Sequence, residues 1–193
     1  MTDVRPRKRA RQSRSQATVA AIVEAAARIL ADGGLGAVTT NAVAKRAGVS
    51  VGSLYQYFPN REAILADLLR AKLTVLLREV EDACAASTFE QAVRRMLAAL
   101  ARSYIERPAL AAALVSVETL VATDAEIADL RTRLGTATIV FLRDNHVPEP
   151  HLAARDIVAL SRGMALAAGL AGERDLDALV ARMERAVHGY LRR

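Results

Sequence analysis

Apolar side chains recur every three to four residues along most of this chain, which is the spacing of one face of an α-helix. The longest such stripe follows Asn60 and continues for about five turns with leucine, isoleucine and valine. No segment shows the strict alternation of apolar and polar residues that indicates a β-strand. The pattern therefore predicts an all-α protein of about nine helices.

The predicted helices fall into two groups that meet near residue 60. In the first group, a helix that begins at Ser15 ends at Gly33 and Gly34, because glycine readily takes the left-handed conformation that follows a helix. The second group starts with a long helix that Asn60 can cap. The five helices after it are expected over residues 89–107, 110–121, 125–145, 151–171 and 176–191.

Two very short helices are predicted at the end of the first group, over residues 41–47 and 51–57. Thr40 and Ser50 can cap them, and Gly48 permits a tight turn between them. Two short helices joined in this way form a helix-turn-helix, whose second helix lies in the major groove of DNA.

The positive charge of the chain lies in its N-terminal third. Residues 1–61 contain ten Lys or Arg and three Asp or Glu, whereas residues 62–193 contain seventeen and eighteen. Six of these basic residues fall in residues 1–14, which lack an apolar pattern and are predicted to form a disordered arm. A local basic excess favours binding to a polyanion, and a solvated tail is the alternative explanation. A DNA-binding domain is thus expected over residues 15–60 and a second helical domain over residues 61–193.

The second short helix carries an unusual set of small and aromatic residues. Gly52 would let the backbone approach a phosphate closely, and Ser50 and Ser53 offer small hydroxyl groups. Tyr55 and Tyr57 each combine a phenolic O–H group, suited to a phosphate, with a ring that can pack on the protein. The alternative is a helical hairpin that only packs.

This segment also resembles a known family. Residues 39–64, TTNAVAKRAGVSVGSLYQYFPNREAI, are similar to the DNA-binding motif of the TetR/AcrR-type transcriptional regulators, the tetracycline-repressor-like family. The resemblance covers about 50 residues, from the first predicted helix to the start of the fourth. It implies a three-helix DNA-binding domain followed by a helical domain that binds a ligand and dimerises.

The resemblance assigns roles to individual residues. Phosphate binding falls to Thr40, Tyr55, Tyr57 and Arg61, and contacts to base edges or backbone fall to Val51, Gly52 and Ser53, with Ser50 beside them. A phosphate near Arg61 would also relieve the unfavourable position of a cation at a helix N-terminus. Gln56 could pair with adenine or face solvent. Because this helix lacks Arg and Lys, contacts to backbone, thymine methyl groups and DNA shape are favoured.

The middle helices of the second domain could pack solidly or enclose an apolar cavity. The resemblance favours a cavity, because regulators of this type hold effectors between these helices. The predicted lining is apolar, from Met96, Leu100, Tyr104, Leu114 and Phe141, and it selects an apolar or amphipathic molecule. Glu118 as a polar anchor would favour a cationic ligand, and Arg102 an anionic one.

The last two predicted helices have apolar faces and a run of small residues between Gly163 and Gly169 that permits close helix approach. Pairing about a two-fold axis would double the DNA contact of a single small motif. The resemblance implies a four-helix dimer contact made by these helices.

Other function classes find little support. The chain has no Gly-rich phosphate loop, nucleophile elbow or zinc motif, and its three histidines are dispersed, so neither an enzyme nor a metal or cofactor is expected. The absence of a long apolar run and of a secretory signal predicts a cytoplasmic protein. The prediction is a homodimeric, ligand-responsive repressor that binds a near-palindromic operator. The alternative is a constitutive DNA-binding or architectural protein without an effector pocket.

Overall fold

A computed structural model describes the backbone of residues 7–191 and the side chains of residues 15–191. Within this part of the chain every regular element is an α-helix, which confirms the predicted all-α class and the number of helices. The nine helices are α1 (Arg7–Ala37), α2 (Thr40–Ala47), α3 (Val51–Tyr55), α4 (Arg61–Cys84), α5 (Phe89–Ile105), α6 (Pro108–Leu120), α7 (Ala125–Asp144), α8 (Pro150–Leu170) and α9 (Leu176–Leu191). None of the helices in the described residues is long and apolar enough to cross a membrane.

The chain divides into two compact units, residues 1–68 and 69–193. The sequence places the boundary at residue 60, where α4 begins, whereas the first two turns of α4 belong to the first unit. Ile64 and Leu65, in these turns, are fully buried. A helix start is visible in the sequence, but the point along a helix where its packing partners change is not.

Helix α1 begins earlier than predicted. Its backbone is helical from Arg7, so residues 7–14 differ from the disordered arm that the sequence suggests. Arginine, lysine and glutamine have high helix propensity, and adding residues to an existing helix costs far less than nucleating one. Residues 1–6 of the predicted arm lie outside the described residues. The predicted end of this helix is observed as a kink at Gly34, whose φ of 69° lies in the left-handed region that favours glycine.

Helix α2 is capped by Thr39 and not by Thr40. Thr39 has an extended backbone, and its side chain accepts a hydrogen bond of 3.1 Å from the backbone N–H of Ala42. Thr40 is instead the first helical residue. Two adjacent threonines offer the same side-chain chemistry, and only the backbone conformation distinguishes the cap.

The second unit has its core between α5, α8 and α9. Ala165 and Met183, on the faces of α8 and α9 that the sequence suggests for a dimer contact, are fully buried in this core. A Cβ atom at Gly169 would lie 3.0 Å from the backbone oxygen of Tyr104, so α8 approaches α5 closely at this glycine. Ala165, Gly169 and Met183 therefore pack within the chain, whereas Gly163 and Ala167 of the same run are exposed.

Candidate functional site

Helices α2 and α3 form the predicted helix-turn-helix. Gly48 has a φ of 70°, and its N–H bonds the carbonyl oxygens of Ala44 and Lys45, which closes α2. Ser50 has an extended backbone, and its side chain accepts a hydrogen bond of 3.0 Å from the N–H of Ser53. The predicted turn glycine and the predicted cap of α3 are both confirmed.

Helix α3 is shorter than predicted and ends at Tyr55. The backbone N–H groups of Tyr57 and Phe58 both bond to the carbonyl oxygen of Leu54, which closes the helix before Pro59. Leu54 is fully buried, and Phe58 is nearly so. These two side chains hold α3 against its own unit.

The opposite side of α3 faces solvent. Val51 on this side is 38% exposed and Tyr55 is 51% exposed, and Tyr57, which follows the helix, is 36% exposed. Gly52 and Gln56 are exposed as well. A Cβ atom added at Gly52 would meet only the Ser50 Oγ, at 3.9 Å, so the fold itself does not require glycine there.

Two predicted phosphate ligands lie together on this surface. The Thr40 Oγ1 and the Tyr55 hydroxyl oxygen are 3.2 Å apart and share a hydrogen bond, although the residues are on different helices. The start of α2 and the end of α3 therefore present adjacent hydroxyl groups, which is an arrangement suited to phosphate oxygens.

Arg61 has partners within the protein. Its Nε donates to the Glu62 Oε1 at 2.8 Å, and its Nη1 donates to the carbonyl oxygen of Val38 at 3.4 Å. The hydrogen bond from Arg61 lowers the pKa of Glu62. The sequence predicts that a phosphate supplies the negative charge near Arg61, whereas in the structure Glu62 supplies it. A phosphate that binds Arg61 would have to share or replace the hydrogen bond between Arg61 and Glu62.

A cavity of about 340 Å³ lies in the second unit, between α4, α5, α6, α7 and α8. Most of its wall is apolar, and this part includes Leu73, Leu76, Met96, Leu100, Leu134 and Ile157. The volume is at the lower end of the range for small-molecule sites, which is about 300–1,000 Å³.

The structure places four of the seven predicted ligand-binding residues on the cavity wall: Met96, Leu100, Tyr104 and Glu118. The other three lie elsewhere. Arg102 pairs with Glu79 at 2.8 Å, Leu114 is buried in helix packing, and the Phe141 ring stacks on Phe89 with centroids 5.4 Å apart.

These three differences have a geometric cause. Arg102 precedes Tyr104 by two residues, and a two-residue step turns a side chain to nearly the opposite side of a helix. Leu114 and Phe141 belong to apolar faces, as predicted, but the same periodicity describes a solid core and a cavity wall.

One end of the cavity carries charged and aromatic groups, here called the polar cluster: Lys72, Tyr104, Glu118, Arg131 and Arg162. Arg162 donates to the Tyr104 hydroxyl at 2.8 Å and to Glu118 at 2.6 Å. Arg131 approaches the other carboxylate oxygen of Glu118 at 3.4 Å. The Lys72 Nζ lies 4.4 Å from the centroid of the Tyr104 ring, which is a cation–π contact.

Burial shifts the pKa values of Lys72 and Tyr104 in this cluster. The pKa of Lys72 is lowered to about 8, chiefly by burial, while the charge of Glu118 raises it and the charge of Arg162 lowers it. Burial also raises the pKa of Tyr104. The three basic side chains of the cluster therefore share a single carboxylate in a partly buried place.

Ser161 is the second unusual group on the wall. It is only 1% exposed, and its Oγ has no hydrogen-bond partner among the described residues. A buried hydroxyl without a partner costs roughly 1–3 kcal/mol. Two other wall hydroxyls, on Ser103 and Thr138, bond to carbonyl oxygens of their own helices.

The sequence analysis missed Lys72, Arg131, Ser161 and Arg162 as wall residues. Lys72 had a recognisable signal, because it lies between Leu69 and Leu76 in the register of the buried stripe of α4. The other three are ordinary polar residues within amphipathic helices. Nothing in their spacing separates a cavity wall from a solvated face.

Metal and thiol chemistry receive no support in the described residues. They contain no group of three or more His, Cys, Asp or Glu that could hold a metal ion. Burial raises the pKa of the Cys84 thiol, which disfavours the reactive thiolate.

Comparison with known proteins agrees with this arrangement. Residues 22–68 match the family model described as bacterial regulatory proteins, tetR family, and residues 88–191 match the tetracyclin repressor-like C-terminal domain. The fatty acid metabolism regulator protein of Bacillus subtilis is 34% identical over 61 residues, which are 32% of this chain and 31% of that protein. An HTH-type transcriptional regulator of Mycobacterium bovis is 39% identical over 59 residues, 31% of each chain. These matches span about a third of each relative.

Solved structures show the same fold over nearly the whole chain. The fatty acid degradation regulator FadR of Bacillus halodurans has a TM-score of 0.78 at 21% identity, covering 91% of this chain and 96% of that chain. FadR of Bacillus subtilis, solved in complex with stearoyl-CoA, has a TM-score of 0.71 at 19% identity, covering 87% and 96%.

Proposed function

Because this chain belongs to the TetR family of bacterial transcriptional regulators, we propose that it is a repressor that binds a near-palindromic operator as a homodimer and leaves it when a small amphipathic effector binds. The observation that carries the proposal is the cavity of the second unit, with its apolar wall and polar cluster. The alternative, a constitutive or architectural DNA-binding protein, requires a second unit without an effector pocket.

The proposed DNA surface consists of the exposed side of α3 with the start of α2. Thr40 and Tyr55, joined by their shared hydrogen bond, support a phosphate contact, as does the exposed Tyr57. Val51 and Gly52 at the start of α3 are small enough to let the helix sit deep in the major groove. Ser50, Ser53 and Gln56 complete this surface, and Arg61 contributes only if a phosphate competes with Glu62.

The proposed dimer contact is the exposed side of α8. Five apolar or small residues lie on it in helical register: Leu152, Leu160, Gly163, Ala167 and Leu170. Leu152, Leu160 and Leu170 are 38%, 37% and 67% exposed, and a patch of exposed apolar residues marks an interaction surface better than a single residue does. Gly163 and Ala167 belong to the small-residue run that the sequence suggested for the dimer contact, and they lie on its exposed side.

The proposed release follows from linkage between the two ligands. An effector can lower DNA affinity only by the difference in its affinity for the two conformations. A hundredfold loss needs about 2.8 kcal/mol, since each tenfold corresponds to about 1.4 kcal/mol. Helix α4 contributes residues to both units without interruption, so it is the element best suited to carry this coupling.

The first experiment identifies the operator. Genomic DNA fragments that the purified protein retains would be sequenced, and we expect a near-palindrome with half-site centres roughly 34–36 Å apart. The second experiment titrates candidate effectors with and without this operator. Long-chain acyl-CoA belongs among them because stearoyl-CoA is bound by Bacillus subtilis FadR.

The effects of effector and operator on each other's binding must be equal, and this equality gives the expected result of the titration. Operator DNA must weaken the effector by the same factor by which the effector weakens operator binding. Effectors that bind equally with and without operator would contradict induction, and retention of DNA without sequence preference would favour the architectural alternative.

A further inference from the structure

We infer that the effector is an amphipathic anion, whose carboxylate binds Lys72 and the hydroxyl of Ser161 and whose hydrocarbon body fills the apolar part of the cavity. This inference rests on the proposed function, since it names the chemical class of the effector. It also decides between the cationic and anionic ligands that the sequence left open.

The charge balance of the polar cluster favours an anionic ligand over a cationic one. Lys72, Arg131 and Arg162 face one carboxylate, that of Glu118. Both oxygens of Glu118 are already engaged, by Arg162 at 2.6 Å and by Arg131 at 3.4 Å. Glu118 is therefore compensated twice, and a cationic ligand would have to displace an arginine to reach it.

Lys72 is the basic group to which we assign the ligand's carboxylate. Its ammonium group contacts the Tyr104 ring, and none of the described carboxylates lies within salt-bridge distance of it. A partly buried cation without an anionic partner is costly, and a bound carboxylate would offset this cost. Of the three basic groups of the cluster, Lys72 is thus the one that an anion would stabilise most.

Ser161 offers a ligand a hydrogen-bond donor, and this observation does not depend on charge. Its hydroxyl is buried, lines the cavity and has no hydrogen-bond partner in the described part of the chain. The hydroxyls of Ser103 and Thr138 are already bonded to carbonyl oxygens of their own helices. Ser161 is therefore the wall hydroxyl that can donate to a ligand oxygen at no cost to another bond.

The size of the cavity sets the probes. A volume of about 340 Å³ lies near the lower end of the range for small-molecule sites. We therefore choose probes with a single straight chain of about ten carbons and a small head group. Decanoate, decanol and decylamine share the same chain and differ in the charge of the head group.

The test measures binding of these probes to the full-length protein by isothermal titration calorimetry near pH 7. We expect decanoate to bind roughly ten- to hundredfold more tightly than decanol, as hydrogen bonds to charged groups imply, and decylamine to bind most weakly. Equal or tighter binding of decanol or decylamine would overturn the inference. So would the absence of binding by all three.

Two variants separate the anchors. Lys72→Met should weaken decanoate by about tenfold or more and leave decanol unchanged, because it removes the charge and keeps an apolar stem. Arg78→Met is the matched control, since Arg78 is exposed on the same helix and outside the cavity wall. Equal losses for decanoate and decanol in Lys72→Met would overturn the role of Lys72.

Ser161→Ala should affect decanoate binding and the stability of the free protein differently. It should weaken decanoate several-fold, yet leave the free protein at least as stable, because the substitution breaks none of the described hydrogen bonds. Unchanged decanoate affinity would overturn the role of Ser161. Decanoate that binds as expected but does not affect operator binding would contradict the proposed function and leave the chemistry of the cavity standing.

Discussion

At the residue scale, Gly52 is a position where we expect DNA binding, and not the fold, to require a glycine. The space around its missing Cβ is open, and its backbone does not have a positive φ. We expect Gly52→Ala to fold with unchanged or slightly higher stability, because alanine has the higher helix propensity. Operator affinity should fall by roughly tenfold or more, because a methyl group would keep the backbone from a phosphate.

Gly48→Ala is the contrasting variant. The space around Gly48 is also open, but its φ is 70°, which costs a residue with a Cβ roughly 1–2 kcal/mol. Urea unfolding should therefore separate the two variants, and fluorescence anisotropy with labelled operator should detect the weaker binding of Gly52→Ala. Operator binding by Gly52→Ala at the level of the unmodified protein would rule out a close backbone approach at this position.

Lys72 makes stability depend on pH. Burial lowers its pKa from 10.5 to about 8, so the protonated form is disfavoured in the folded state. The penalty is complete below pH 8, decreases between pH 8 and 10.5, and is absent above that range. At about 1.4 kcal/mol per pKa unit its upper limit is about 3 kcal/mol, and the cation–π contact offsets part of it.

We therefore expect Lys72→Met to be more stable than the unmodified protein at pH 7, by about 1–2 kcal/mol. The difference should shrink as the pH rises from 8 to 10, since the unmodified protein is then relieved of its penalty. Urea unfolding of both proteins at pH 7, 8.5 and 10 measures this. A constant difference across the series would mean that Lys72 is well hydrated in the folded protein.

At the element scale, α8 has two different apolar sides. Ala165 and Ala168 face the core of their own unit, whereas Leu160 and Leu170 face solvent. We expect the double variant Leu160→Glu, Leu170→Glu to remain helical but to become monomeric, because charges on an apolar contact must be desolvated for the dimer to form. Its operator affinity should fall by about a hundredfold or more, since two linked half-sites gain that much over one.

Two controls complete this experiment. Val75→Glu places the same charge on α4, at a side chain that is 57% exposed, and should change neither the oligomeric state nor the stability. Ala168→Glu introduces a charge at a buried position and should lower the stability instead. Light scattering and circular dichroism distinguish these outcomes. A double variant that stays dimeric would place the contact on another surface.

Local signals explain which elements could be predicted. Thr88 caps α5 through the N–H of Gln91, and Asp124 caps α7 through the N–H of Ile127. Cap bonds join residues three apart, so their chemistry is visible in a short window. The cavity wall and the exposed side of α8 depend on which helix lies opposite, and no local window contains that information.

The polar residues of the cavity also show that local sequence windows cannot identify contacts between distant helices. Met96 and Tyr104 could be assigned to the wall because they share the buried face of α5. Arg162 could not, because its partners Tyr104 and Glu118 are distant in sequence, at separations of 58 and 44 residues. A long-range pair of this kind becomes evident only when the helices are assembled.

At the scale of the whole molecule, charge is distributed unequally along the chain. Residues 1–61 contain ten basic and three acidic residues, and the remainder is nearly neutral. Five of the ten, Arg5, Arg7, Lys8, Arg9 and Arg11, fall between residues 2 and 12. Each phosphate that a protein neutralises releases counterions and adds about 0.9 to the slope of log affinity against log salt.

Replacing these five residues by glutamine keeps the length and the helix propensity of the segment while it removes the charge. We expect specific and nonspecific DNA binding to weaken together, with a salt slope smaller by about 0.9 for each phosphate that either subunit no longer neutralises. Arg61→Gln should change the slope by less than the value for one phosphate, because Arg61 is already paired with Glu62. Anisotropy titrations between 50 and 200 mM salt, about the range in which such effects are large, measure both slopes. An unchanged slope in the glutamine variant would make the N-terminal charge irrelevant to DNA and leave the helix-turn-helix to supply the affinity alone.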